Sequence, residues 1–221
     1  MARRAAGLTL VELLVGLTVG LFIAAESAAW IAASLREQRA ALLEGRLLQD
    51  LRTAADVVVR DLRRAGFWGA ADESAWLPGT TATIANPYAA LAPLAAASDG
   101  VTFAYSRDAT ENDALDGNEQ FGFRLRNGTI QMQMGGGWQA ITDVETLVVT
   151  AFELTPDVQS VSLDGVCAAA CAASSAGCPP RVEIRSLALR IDGRAANDPA
   201  VVRSVRARVR LRNDAIVGAC G

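Results

Sequence analysis

Arg3-Arg4-Ala5-Ala6-Gly7-Leu8-Thr9-Leu10-Val11-Glu12 leads into a stretch without a charged residue from Leu13 to Ala25, and apolar character continues through Trp30 and Ile31 to Leu35. A secretory signal places its small-residue cleavage site after the apolar core, whereas here the small residue, Gly7, precedes it. A cut between Gly7 and Leu8 would leave the apolar segment on the mature chain. Arg3 and Arg4 hold the leader on the cytoplasmic side, so whatever follows the segment faces the periplasm. Taken as helix, Leu8 to Ala33 spans roughly 39 Å at about 1.5 Å per residue, enough for a hydrocarbon core of about 30 Å. Glu12 falls inside that segment, where an ionised side chain costs a few kcal/mol and needs a partner. Glu26, fourteen residues on, lies within about 40° of it around the helix and reads as a charge near the far membrane interface. Gly16 and Gly20 form a small-xxx-small pair that permits close helix packing.

The order Gly7-Leu8-Thr9-Leu10-Val11-Glu12 resembles the start of type IV prepilins. The resemblance implies cleavage by prepilin peptidase between Gly7 and Leu8, N-methylation of Leu8 where that family usually has Phe, and a role for Glu12 in neutralising the N-terminal amine of a neighbouring subunit.

Beyond the membrane segment the apolar residues Leu35, Leu42, Leu43, Leu47, Leu51, Ala54, Val58, Leu62 and Ala65 recur at three- and four-residue steps among charged ones. That period predicts one continuous helix to about Ala65, closed by Gly66 in a left-handed conformation with Arg63 and Arg64 near the negative end of the dipole. Arg60-Asp61-Leu62-Arg63-Arg64-Ala65-Gly66-Phe67-Trp68-Gly69 is similar to the helix-end signature of PilW-type minor pilins, carried by Asp61, Gly66, Phe67, Trp68 and Gly69. Read from the residues alone, it is a helix cap followed by aromatics tucked against the head.

Residues 67–221 are the right size for one domain with its own core. Pro78, Pro87 and Pro93 argue for an irregular stretch up to about Ser98. Strand patterns then follow over 101–105, 121–126, 129–134, 146–154, 182–191 and 204–211. The second and third are joined by Asn127-Gly128, the dipeptide of a tight hairpin, and Gly135 to Gly137 read as another turn. The expected fold is α+β and pilin-like, a long N-terminal helix packed on an antiparallel β-rich head. Its divisions are a leader (1–7), a transmembrane half-helix (8–34), an amphipathic half-helix (35–66) and the periplasmic head (67–221).

The chain has no histidine and no lysine. That removes a Ser-His-Asp triad, the Gly-Lys-Ser/Thr phosphate loop and imidazole zinc sites, so neither catalysis nor a cofactor is expected. Net charge is −3, and losing Arg3 and Arg4 makes it more negative, so no global attraction to nucleic acid follows. The acidic loop from Asp108 to Glu119 invites a calcium reading, but an EF-hand frame on Gly117 puts Ala114 at the third position and Phe123 at the twelfth, so the frame fails. An irregular calcium site and a solvated polar loop both stay open. Cys167, Cys171, Cys178 and Cys220 read as two disulfides in an oxidising compartment, with three pairings possible. A four-thiolate metal site is the rival, but paired Cys-x-x-Cys knuckles are missing. Arg206, Arg208, Arg210 and Arg212 alternate with Ala207, Val209 and Leu211, which places four guanidiniums on one strand face. Such a face is either simply solvated, or meets an acidic neighbour or the phosphates of DNA.

The PilW-type resemblance implies a structural role. Such a protein joins other minor pilins and the major pilin at the inner-membrane assembly platform, primes pilus assembly and sits at the surface pilus tip, where a tip adhesin can join it. A J-like minor pseudopilin of type II secretion shares the leader and a similar helix. A pilus-displayed module for adhesion or DNA capture is the third reading.

Overall fold

The computed structural model describes residues 9–74, 84–167, 169, 171 and 177–220. Gly7 and Leu8, and with them the expected cleavage and methylation positions, lie outside the described residues.

Helix α1 covers Leu10–Leu62, and the chain forms two compact units, Met1–Gly45 and Arg46–Gly221. In the first unit the apolar side chains Leu13, Leu17, Leu21, Phe22, Trp30 and Ile31 are all exposed. This part of α1 is long and apolar enough to cross a membrane.

In the second unit the helical period is put to use. Leu47, Leu51, Ala54, Ala55, Val58 and Leu62 recur every three or four residues and are all buried, the stripe expected of a helix laid on a core. The helix ends as a turn rather than running on to Ala65. The Arg64 and Ala65 N–H groups donate to the Asp61 and Leu62 carbonyls, three residues back, and Gly66 follows at φ +75°. A residue with a Cβ is disfavoured at that angle, which is why the chain can turn there.

Two antiparallel sheets make up the β-rich head. The first runs in chain order through β1 (Leu91–Ala92), β2 (Gly100–Ala104), β3 (Gln120–Arg126), β4 (Thr129–Met134) and β5 (Gly137–Ala140). Asn127 and Gly128 have φ of +52° and +74°, the left-handed pair of a tight hairpin turn that the dipeptide announced. The strand β5 is additional, placing Trp138 where the Arg124 guanidinium lies 4.0 Å from its ring centroid.

The second sheet holds β6 (Leu147–Ser162), β7 (Arg181–Ala195), β8 (Val202–Arg210) and β9 (Ala215–Val217), in the order β6-β7-β8 with β9 also on β7. Both β6 and β7 outrun the sequence expectation, pairing without a break from Ala151–Asp192 out to Ser162–Arg181. Pro156 does not end β6, because the side of that strand away from β7 carries only an isolated bridge, Ser98 with Leu154, and a missing N–H is tolerated at such an edge.

The core lies between α1 and both sheets, joining Leu51, Val58 and Leu62 to Val101, Phe103, Phe121 and Phe123 from the first and Phe152, Leu187, Leu189 and Ile191 from the second. A fully buried side chain of this size contributes roughly 1.5–3 kcal/mol. Gly193 marks the closest approach. A Cβ built there would come within 2.5 Å of Leu147 Cδ1 and 3.1 Å of Leu51 Cδ2, so β7 seats against the helix only because that side chain is missing. The α+β, pilin-like architecture is thus a long apolar helix packed on antiparallel sheets.

Candidate functional site

Glu12 sits three residues after Thr9, at the third position of α1. Its carboxylate Oε2 accepts hydrogen bonds from the Thr9 N–H and the Thr9 hydroxyl, both at 3.1 Å, and the Glu12 N–H donates to Thr9 Oγ1 at 3.3 Å. This is a capping box, in which residue and cap satisfy each other's orphan donors at a helix start. The Thr9-x-x-Glu12 spacing carried the signal for it, unread in the sequence beside the intermolecular role. The two readings share a requirement, because the cap orients the carboxylate at the first turn of the helix.

At the far end of α1 the chain is gathered into a polar knot. Gly66 N–H donates to the Ala104 carbonyl at 2.7 Å and Ser106 N–H to the Phe67 carbonyl at 2.8 Å. The Gly66 carbonyl accepts from Asn86 Nδ2 at 2.9 Å and also from Asn213 Nδ2. Trp68 is only 1% exposed, and its Nε1–H donates to Asp113 Oδ1 at 2.8 Å. Phe67, by contrast, is half exposed. Of the two aromatics expected to tuck into the head, only the tryptophan does so. Asp61 is buried with Arg60 at 3.7 Å, and the Arg64 guanidinium covers the Tyr105 ring at 4.4 Å.

The acidic loop supplies most of this knot. Glu111 takes the Gly69 N–H at 2.8 Å and the Tyr88 hydroxyl at 2.9 Å. Burial pushes the Glu111 carboxyl up, but hydrogen bonds from Ser106, Gly69, Tyr88 and Asp113 outweigh it and hold the group below its ordinary value. Burial, reinforced by the charge on Glu111, pushes the Tyr88 phenol up. Asp108, unlike Glu111, is raised, by desolvation and by the neighbouring charges of Glu119, Asp116 and Glu111. Glu119 is fully buried and accepts from the Arg107 N–H at 2.8 Å and the Asp116 N–H at 2.9 Å. The loop is therefore not merely solvated; Glu111 and Asp113 satisfy backbone and indole donors at the helix end, and Glu119 satisfies backbone donors within the loop. Nothing in the local sequence announced contacts between residues more than forty positions apart.

Beneath the knot Arg185, almost wholly buried, donates to the Ala89 carbonyl at 2.7 Å and the Asn213 carbonyl at 3.1 Å. Burial pushes its guanidinium pKa down, opposed by the charges of Glu183 and Asp214. It ties β7 to two loops, a role its place in an alternating strand did not reveal.

Four sulfurs are joined late in the chain. The bridges are Cys167–Cys220 and Cys171–Cys178, one of the three pairings left open by the sequence, and all four thiols are consumed, which removes the thiolate metal site.

Arg206, Arg208 and Arg210 alternate outward along β8 as expected, but Arg212 falls past its end, in a bend. Nor are these guanidiniums an undivided positive face. Arg208 is paired with Asp157 across the sheet, and Arg210 Nη2 lies 3.0 Å from Asp214 Oδ2.

The family model of prepilin peptidase-dependent protein B matches residues 40–211. The chain belongs to that family. Within the matched span lie the buried stripe of α1, the first sheet, β6 to β8 and all of the helix-end knot but Asn213; Glu12 precedes it and β9 follows it. No curated protein and no solved structure matches the chain. Membership in a prepilin peptidase-dependent family, together with one exposed apolar helix, is consistent with a membrane-anchored component of a pilus or pseudopilus.

Proposed function

We propose that this protein is a PilW-type minor pilin that helps prime type IV pilus assembly and stays in the tip complex. The observation that carries the reading is the exposed apolar half of α1, headed by a carboxylate held in a capping box. A lone charge within an apolar helix needs a complement, and the free amine of a neighbouring subunit supplies one. In this reading prepilin peptidase removes residues 1–7, the helix anchors the protein in the inner membrane with a periplasmic head, and other minor pilins, the major pilin and the assembly platform take it into the fibre. The role is structural rather than enzymatic, in keeping with a chain that has neither histidine nor lysine.

The test compares cells lacking the gene, complemented with wild type or Glu12→Ala, for surface pili and for protein secretion. Loss of pili with secretion intact, rescued by wild type alone, is expected. Normal pili with failed secretion would transfer the protein to a J-like pseudopilus role, and no defect in either would overturn both.

A further inference from the structure

The second sheet ends in an edge that nothing covers among the described residues. On one side β8 pairs with β7 from Ser186–Arg210 to Arg194–Val202, and β9 extends the same edge by pairing with β7 at Arg181 to Glu183. No strand pairs with β8 on its other side. An open nine-residue strand is a template for any extended chain that matches it.

Its side chains restrict what can match. Register places Glu153, Arg190 and Arg206 in one cross-strand row and Asp157, Ser186 and Arg210 in another. Arg190 turns aside to Asp192, with contacts of 2.7 and 3.1 Å. Arg208 and Arg210 have Asp157 and Asp214. Arg206, in the middle of the strand, lies opposite Arg190 and makes no ion pair within 4 Å among the described residues, although the charge of Asp192 acts on it as well as on Arg190. Two cations directly opposite destabilise a sheet; Asp192 offsets part of that cost, and an incoming carboxylate on Arg206 would relieve the remainder.

We propose that the β8 edge docks an extended segment of a partner protein bearing carboxylates at alternate positions, one of them seated on Arg206. Residues i and i+2 of a strand are about 6.8 Å apart, so a strand with acidic residues at every second position keeps step with Arg206, Arg208 and Arg210. The same charges refuse a second copy of this chain, whose own β8 would bring arginine against arginine. A nucleic acid strand fits less well, because Asp157, Asp192 and Asp214 share the surface and repel an unbroken line of phosphates. The inference stands apart from the pilus assignment, since it concerns the isolated chain and is tested on it.

The experiment uses the full chain in detergent micelles and three labelled probes: a ten-residue peptide alternating Glu and Thr, its Lys-for-Glu counterpart and a ten-nucleotide oligo-dT. Anisotropy reports binding, and hydrogen exchange reports which amides are protected. The expected result is binding of the Glu peptide alone, with slowed exchange over residues 202–210, weakened about two- to fivefold by Arg206→Ser and weakened further by added salt. The double variant Arg206→Glu/Arg208→Glu should bind the Lys peptide instead, a gain that misfolding cannot produce. No binding of the Glu peptide, binding indifferent to Arg206→Ser, unchanged exchange in β8, or preferential binding of the oligonucleotide would each overturn the proposal.

Discussion

The two halves of α1 have the same backbone and opposite surroundings. Between Leu10 and Gly45 almost every leucine, valine and isoleucine is exposed, whereas from Leu47 to Leu62 the apolar residues on one stripe are buried to within a few per cent. The difference lies in what flanks them. The first half is apolar all round apart from Glu12 and Glu26 until Arg36, so no single face is marked for a core; the second alternates apolar steps with Arg, Asp and Gln and can bury only one. One half is written for an environment supplied from outside, the other for the head on the same chain.

That contrast can be broken most severely at Leu51. Leu51→Ala should cost the head about 2–5 kcal/mol, read from urea unfolding of the full chain in micelles, whereas Leu17→Ala in the upper half should leave the same transition unmoved. Equal effects would mean the two halves are not energetically separate. Gly193→Val comes next. The added side chain meets both Leu147 and Leu51, and an overpacking penalty of about 1–3 kcal/mol is expected; an unchanged midpoint would show that the helix yields without cost.

Glu111→Gln sharpens the comparison at the end of the lower half, with about 1–2 kcal/mol lost at neutral pH. The fold favours the ionised Glu111, whose pKa it lowers from 4.5. Its contribution is therefore complete above about 4.5 and disappears as pH falls through the lower folded value. Asp108, raised from 3.8, has the opposite sign, since ionising it opposes folding and acid relieves the strain. The Gln variant should accordingly lose less stability than wild type on acidification below pH 4.5, and parallel acid limbs would remove Glu111 from the account. The smallest effect is expected from Glu12→Ala. It should abolish assembly in cells yet leave head unfolding unchanged, with only the first turn of α1 loosened by about 0.5–2 kcal/mol of lost capping, visible as faster amide exchange there.

Features of the fold with a local cause were legible in advance. Helical spacing from Leu47 to Leu62, the left-handed Gly66, the Asn127-Gly128 hairpin and the outward arginines of β8 each follow from residues within a few positions of one another. What escaped reading depends on distant partners. The strand expected over 146–154 continues to Ser162 because β7 pairs with it throughout, which nothing near Leu154 in the sequence says. The acidic loop looked unattached because its donors, Trp68, Gly69 and Tyr88, are far away along the chain. Cysteine pairing is combinatorial, and spacing cannot choose among three solutions. For the candidate site the balance is similar. Glu12 stood out through its charge in an apolar run, whereas the exposure of Phe67 and the partners of Arg208 and Arg210 emerge only once both sheets are placed.

The Cys167–Cys220 bridge has a mechanical consequence. Strands β7, β8 and β9 all lie inside the loop it closes, whose joined positions have a sequence separation of 53. Under tension applied through α1 and the C-terminus, that loop cannot lengthen however far its strands unravel. Stretching in an atomic force microscope should therefore release roughly 180 Å less contour length from the oxidised protein than from the reduced one, at about 3.4 Å per residue. Load borne along a fibre would thus be taken up by β1 to β6, while the edge carrying the arginines stays within a covalently bounded circuit.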